Sequence, residues 1–314
     1  MEIDILISGA TVVTMDGERR TLTEGAIAIS GDTILDVDDE ASLRDKYAGA
    51  ECKQIHARGK VVFPGFVNLH THAGLSILRG VGEEWATFPS YTKSVPQGVL
   101  LSPGDIYVFS LLGGLEALKF GTTCIADNYV YSLQNARAFD TLGLRAVVSE
   151  RIHDADLFKI PSGVYDFSPS IGERLLEQNL ELIQTWHMKD HGRIRCRLGP
   201  HAPDTCSEEF LRRVREVANE RGIGIVIHLA QGAFEGREIR RRTGGLSPTQ
   251  FLEKVGLLGP DVIAAHCIFV DQEDIRILAD TGTHVSHQPE GNAQYGFMAP
   301  MAEMRRAGSN LGLG

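Results

Sequence analysis

From Val61 onward the chain alternates helical stretches with short apolar runs, and this repeat limits the possible folds more than any other feature. The runs lie at 61–69, 122–127, 144–149, 193–198, 223–227, 262–265 and 283–286. The helical stretches between them fall near 104–120, 135–142, 171–190, 208–222, 250–255 and 271–281. Repeated strand–helix units with apolar strands build a parallel sheet covered by helices. Eight such units close into a barrel, and six or seven can also form an open doubly wound sheet. An eighth run would begin near Asn310.

Residues 1–60 have a different texture. Short runs rich in Ile, Val and Thr (3–8, 11–15, 25–30, 33–37) are separated by Asp-Gly, Glu-Gly and Gly-Asp pairs. That pattern predicts a small antiparallel β unit that needs a second layer to bury its apolar face. A domain boundary is expected at 60/61. Thr205 and Glu208 have capping-box spacing and predict the start of the fourth helix.

The histidines choose between the two parallel architectures. His70 and His72 form His-x-His at the end of the first run, and residues two apart in a strand share a face, so both can reach one metal ion. His201 follows the fourth run, and His228, His266 and His287 end the fifth, sixth and seventh. A single histidine of this kind could be a satisfied core imidazole. Histidines at five strand ends together indicate a metal site at the mouth of a barrel, where such ends converge.

Other polar groups read as structural. His187 and His191, and likewise Glu235 and Glu238 beside Arg237 and Arg240 to Arg242, fit solvated helix faces. His56 lies in a polar stretch, and His284 sits toward the bottom of its strand. Cys267 points away from His266 and reads as packing, and His153 could line the mouth. The charge balance of −10 argues against a nucleic-acid partner. The five scattered cysteines argue against a disulfide framework, and no segment has the length of a membrane span. A cytoplasmic protein is expected.

The motifs Phe63-Pro64-Gly65-Phe66-Val67-Asn68-Leu69-His70-Thr71-His72, Leu78-Arg79-Gly80 and Phe120-Gly121-Thr122-Thr123 carry a resemblance. They continue as His201-Ala202-Pro203-Asp204-Thr205-Cys206, His228-Leu229-Ala230, Ala265-His266-Cys267 and Val285-Ser286-His287-Gln288-Pro289. In this order they resemble the amidohydrolase superfamily, and within it the branch of adenosine-type and guanine deaminases and triazine hydrolases. The resemblance implies a (β/α)8 TIM barrel over 61–314, incomplete at strand 8, with residues 1–60 forming part of a small β-sandwich.

It further implies that His70, His72 and His228 bind one divalent ion, with zinc expected and iron or manganese able to fill the same site. His266 would orient and deprotonate water, His201 would sit beside the substrate, and Trp85 would wall the pocket. The position of the carbamylated Lys used by two-metal members reads Leu198-Gly199-Pro200-His201, so one metal is expected.

Two departures bear on the chemistry. Deaminases of this type carry Glu three residues after the fifth-strand histidine, where this chain has Gln231, which cannot deliver a proton. The family's eighth strand ends in a metal-binding Asp, and the chain stops at Gly314 before it, so a truncated product is expected, with Asp127 or Asp154 the first substitutes to test.

The implied activity is metal-dependent hydrolysis of a C–N bond in a small nitrogen heterocycle or cyclic amide, by a homo-oligomer. The alternatives are hydrolytic dechlorination of an activated ring and a metal- or ligand-binding pseudoenzyme.

Overall fold

A computed structural model describes residues 2–80, 100–294 and 296–314, and the chain divides into one compact unit ending at Gly65 and another running from Phe66 to Gly314. In the first unit β1 (Ile5–Val13) buries every second residue, as a strand with one face on a core must. It pairs antiparallel with β2 (Thr21–Ser30), which pairs antiparallel with β3 (Thr33–Asp39). The expected break in β1 is only an irregularity at Gly9, whose φ is 74°.

The sheet is mixed rather than antiparallel, because β4 (Lys53–His56) and β5 (Val61–Val62) return to pair parallel with β1. A second layer is also present within these residues: Leu43 of the helix Glu40–Lys46 and Tyr47 just beyond it pack on Ile3, Leu6, Ala26 and Ala28.

The second unit carries β6 (Phe66–Thr71), β7 (Thr122–Tyr129), β8 (Arg145–Ile152), β9 (Ile194–Cys196), β10 (Gly199–Pro200), β11 (Ile225–Leu229), β12 (Val262–His266), β13 (His284–His287) and β14 (Leu311–Leu313). All of their ladders are parallel. β6, β7 and β8 run in order, with β9 and β10 both on β8, and β11 to β14 run in order. A bridge between Leu198 and Ile225 joins the two groups. With β9 and β10 sharing the fourth position, the order is that of a (β/α)8 barrel.

The helices Pro103–Lys119, Ser132–Thr141, Pro169–Trp186, Glu208–Arg221, Ala233–Thr243, Pro248–Lys254 and Gln272–Asp280 lie between strands. Phe139, Leu182, Leu211, Val214, Leu252 and Leu278 are fully buried in one core with the strands. Each such side chain contributes about 1.5–3 kcal/mol on burial. No described helix is long and apolar enough to cross a membrane, and all five cysteines are free.

Three boundaries differ from expectation for local reasons. The first barrel strand begins at Phe66 rather than Val61, because Val61 and Val62 belong to the first sheet and Pro64 cannot donate to a ladder. The third long helix ends at Trp186 rather than 190, since Met188, Asp190 and His191 have left-handed backbone. The helix Glu208–Arg221 is capped by Ser207, whose hydroxyl accepts the Phe210 N–H; Thr205 serves the site instead.

Gly199 shows how closely the strands meet. A Cβ there would press on the Glu150 carbonyl and lie 2.9 Å from Asn128 Oδ1. Gly199→Ala should therefore cost about 1–3 kcal/mol, measured as a lower urea midpoint at unchanged slope.

Candidate metal centre

His70 lies within β6, and His72 follows that strand directly. Asn68 Oδ1 accepts the His70 backbone N–H at 3.0 Å. The His70 ring stands amid three other imidazoles, with centroids 4.8 Å from His72, 4.7 Å from His228 and 5.4 Å from His266. Although His70 is buried, neither of its ring nitrogens has a hydrogen-bond partner. Leaving a buried polar group unsatisfied costs about 1–3 kcal/mol. A metal ion removes that cost.

The neighbouring hydrogen bonds fix which nitrogen is free. His228 Nδ1 lies 2.7 Å from the His201 carbonyl, which can only accept, so Nδ1 carries the proton and Nε2 presents its lone pair. That lone pair lies 3.3 Å from His72 Nε2. Two nitrogens bound about 2.0–2.1 Å from a tetrahedral ion stand about 3.3–3.4 Å apart.

His266 Nδ1 donates to Asn292 Oδ1 at 3.1 Å, which frees its Nε2. His201 Nδ1 lies 2.9 Å from Thr205 Oγ1, and that hydroxyl already donates to the Ala202 carbonyl, so His201 carries its proton on Nδ1. His70, His228 and His266 offer one nitrogen each within 4.8 Å of one another and could hold a divalent ion. Their imidazole donors suit zinc.

Burial, reinforced by mutual repulsion among the rings and by Arg151, keeps these imidazoles neutral. His72, His228 and His266 are lowered to about 3, and His70 and His201 well below the usual value. Burial also brings His153, whose Nδ1 contacts the Ala155 carbonyl, to about 3. In the opposite direction, burial raises Asp127 and Glu150 to about 7.

Below about pH 6.5 the unfolded chain protonates six histidines that the fold keeps neutral. The raised carboxyls, Asp127, Glu150 and Glu235 foremost, offset only part of this. Metal-free protein should therefore lose stability steadily as pH falls from about 6.5 to 5, read as a falling urea midpoint.

Several groups lie elsewhere than the sequence suggests. Glu235 and Glu238 are buried, not on a solvated face. Glu235, in the first turn of Ala233–Thr243, accepts the backbone N–H of Ala230 at 2.7 Å and of Gln231 at 2.9 Å. Burial pushes its carboxyl up, with the charge of Asp204 adding. Glu238 is bound by Arg241 at 2.7 Å. His187 is half-buried and accepts the Cys196 backbone N–H at 3.1 Å.

Asp127 accepts from Ala73 N at 2.7 Å and Asn135 Nδ2 at 2.8 Å, and Asp154 accepts from Ser207 N at 2.8 Å. Both therefore serve loop backbone. Cys267 sits in the hydrophobic core, and His287 is buried beside Asn292. Trp85 lies outside the described residues. Asn292, Thr205 and Glu235 escape sequence reasoning, since nothing in their spacing marks them as partners of histidines or of turns.

The family model described as the amidohydrolase family matches residues 61–314. The chain is 36% identical over 313 residues to a 5'-deoxyadenosine deaminase of Methanosarcina barkeri, covering 99% of this chain and 68% of that protein. It is 34% identical to a 5-methylthioadenosine/S-adenosylhomocysteine deaminase of Pelotomaculum thermopropionicum, with 99% and 69% covered.

Among solved structures, it resembles an adenosine deaminase from Xanthomonas campestris with bound zinc. The TM-score is 0.87 and the identity 26%, covering 100% of this chain and 69% of that one. It also resembles the atrazine chlorohydrolase of Arthrobacter aurescens TC1 complexed with zinc, with a TM-score of 0.86 and 25% identity, covering 99% and 71%.

Proposed function

The chain belongs to the amidohydrolase family, and from that premise we propose that it hydrolyses a C–N bond of a nitrogen heterocycle with the help of one zinc ion. The observation that carries this reading is the convergence of four neutral imidazoles at strand ends, one of them buried with both nitrogens unpartnered. His70 and His228 would hold the ion together with His72, whose Nε2 lies 3.3 Å from that of His228, and His266, which groups as compactly with His70 and His228, would stand next to it. A bound divalent ion supplies Lewis acidity and brings the pKa of a water molecule to about 7.

The chain's own residues do the rest. His266, locked by Asn292 with its Nε2 lone pair free, takes up a proton from the attacking water. His201, whose Nδ1–H is held by Thr205, would lie beside the substrate ring. Water adds its oxygen to the ring carbon, the C–N bond breaks, and the nitrogen leaves as ammonia after gaining a proton. The deaminase relatives make 6-aminopurine nucleosides the first substrates to test.

One observation supports a second reading, hydrolytic dechlorination. Gln231 can bind a substrate but cannot pass a proton to a leaving nitrogen, whereas chloride needs none. Incubation of zinc-loaded protein with aminopurine nucleosides and chlorinated triazines decides between them. Ammonia from the first supports deamination, chloride from the second supports dechlorination, and neither product overturns the hydrolase proposal. A cytoplasmic location and a homo-oligomeric state belong to the same proposal. The free cysteines suit the first, and size-exclusion chromatography tests the second.

A further inference from the structure

We infer that Glu235 is a positioning residue: its carboxylate fixes the Ala230–Gln231 turn that ties the strand end carrying His228 to the strand end carrying His266. Glu235 is 1% exposed, and each of its oxygens accepts one of two successive backbone N–H groups. The turn it holds is an unfavourable one, since Ala230 has a left-handed φ of 49°.

From that turn, bonds run directly to the next loop. The Ala230 carbonyl accepts Ile268 N at 3.0 Å and Phe269 N at 2.9 Å, and the Leu229 carbonyl accepts Cys267 N at 2.8 Å. That loop is also left-handed, with φ of 77° at His266 and 48° at Cys267. Non-glycine residues keep such conformations only where the surroundings over-determine them. Here two neighbouring loops hold each other, and Glu235 anchors the pair from the helix behind.

The side chain must therefore offer two acceptor oxygens at this length. Glutamine offers one acceptor oxygen and would turn an N–H donor toward a backbone N–H. Aspartate keeps both oxygens but is one methylene shorter. Without the anchor, the spacing between His228 and His266 relaxes. This inference rests on the metal reading proposed above.

The test is zinc affinity, measured on the folded, metal-stripped chain by competition with a chromophoric chelator, together with the visible spectrum of the cobalt-substituted protein. Glu235→Gln should weaken zinc binding about 10–100-fold and alter the cobalt spectrum well below the melting temperature. Adding Ala230→Gly, which adopts a left-handed φ freely, should recover part of the affinity.

If Glu235→Gln does not fold, Glu235→Asp carries the test with a smaller loss in the same direction. A folded Glu235 variant that melts earlier but binds zinc as the parent does would overturn the inference and leave the metal reading intact. A parent chain that binds no zinc, or whose binding survives His70→Ala, would overturn the metal reading and this inference with it.

Discussion

His70→Ala is expected to reduce bound zinc from about one ion per chain to almost none and to lower hydrolysis by several orders of magnitude. His70 stands at the centre of the four rings and has no other use for its nitrogens. Loss of the ion returns the pKa of water from about 7 toward about 15.7, leaving almost no hydroxide at neutral pH. Stability should respond differently: the alanine removes an unsatisfied buried ring, so metal-free variant and parent should unfold at similar urea concentrations. Metal analysis after dialysis reads the first effect and a substrate assay the second. Full zinc occupancy in the variant would place the ion elsewhere and refute the assignment.

Gln231→Glu is expected to raise ammonia release from an aminated heterocycle by about 10²–10⁴-fold, the usual range for a positioned general acid. The backbone N–H of residue 231 is held by Glu235, so the new side chain would start from a fixed turn at the mouth. Chloride release from a chlorinated ring should change far less, because that leaving group takes no proton. The ratio of the two rates is therefore more telling than either alone. A uniform loss toward every substrate would mean that Gln231 is an adapted contact and that protonation of the leaving group is handled elsewhere.

The histidines that meet at the strand ends were legible because strand chemistry is local. A period of two and an apolar run ending at a histidine suffice to put a ring at a strand end, and parallel order brings those ends together. The ladders from β6 through β14 follow the alternation read from the residues. The helix caps were partly legible: Asp271 caps Gln272–Asp280 at the start of the stretch near 271–281 expected to be helical. Thr205 looked equally like a cap, yet its hydroxyl orients His201 while Ser207 two residues later caps the helix. Spacing cannot say which of two nearby hydroxyls turns inward.

The sequence by itself determined the α/β order and the histidines that meet. Only the tertiary structure decided their state and support. Burial makes the rings neutral, and the His201 carbonyl, Asn292 and Thr205 select which nitrogen of His228, His266 and His201 carries the proton. Two of those partners lie 26 and 27 residues away in the chain, beyond any periodic pattern. The helix Ala233–Thr243 shows the limit most sharply. Its Glu and Arg residues read as a solvated face because charge usually stays in water, but the N–H groups of Ala230 and Gln231 need acceptors where water does not reach. A backbone group's need for a partner depends on what covers it, and that cover is set by the assembled barrel rather than by neighbours in sequence.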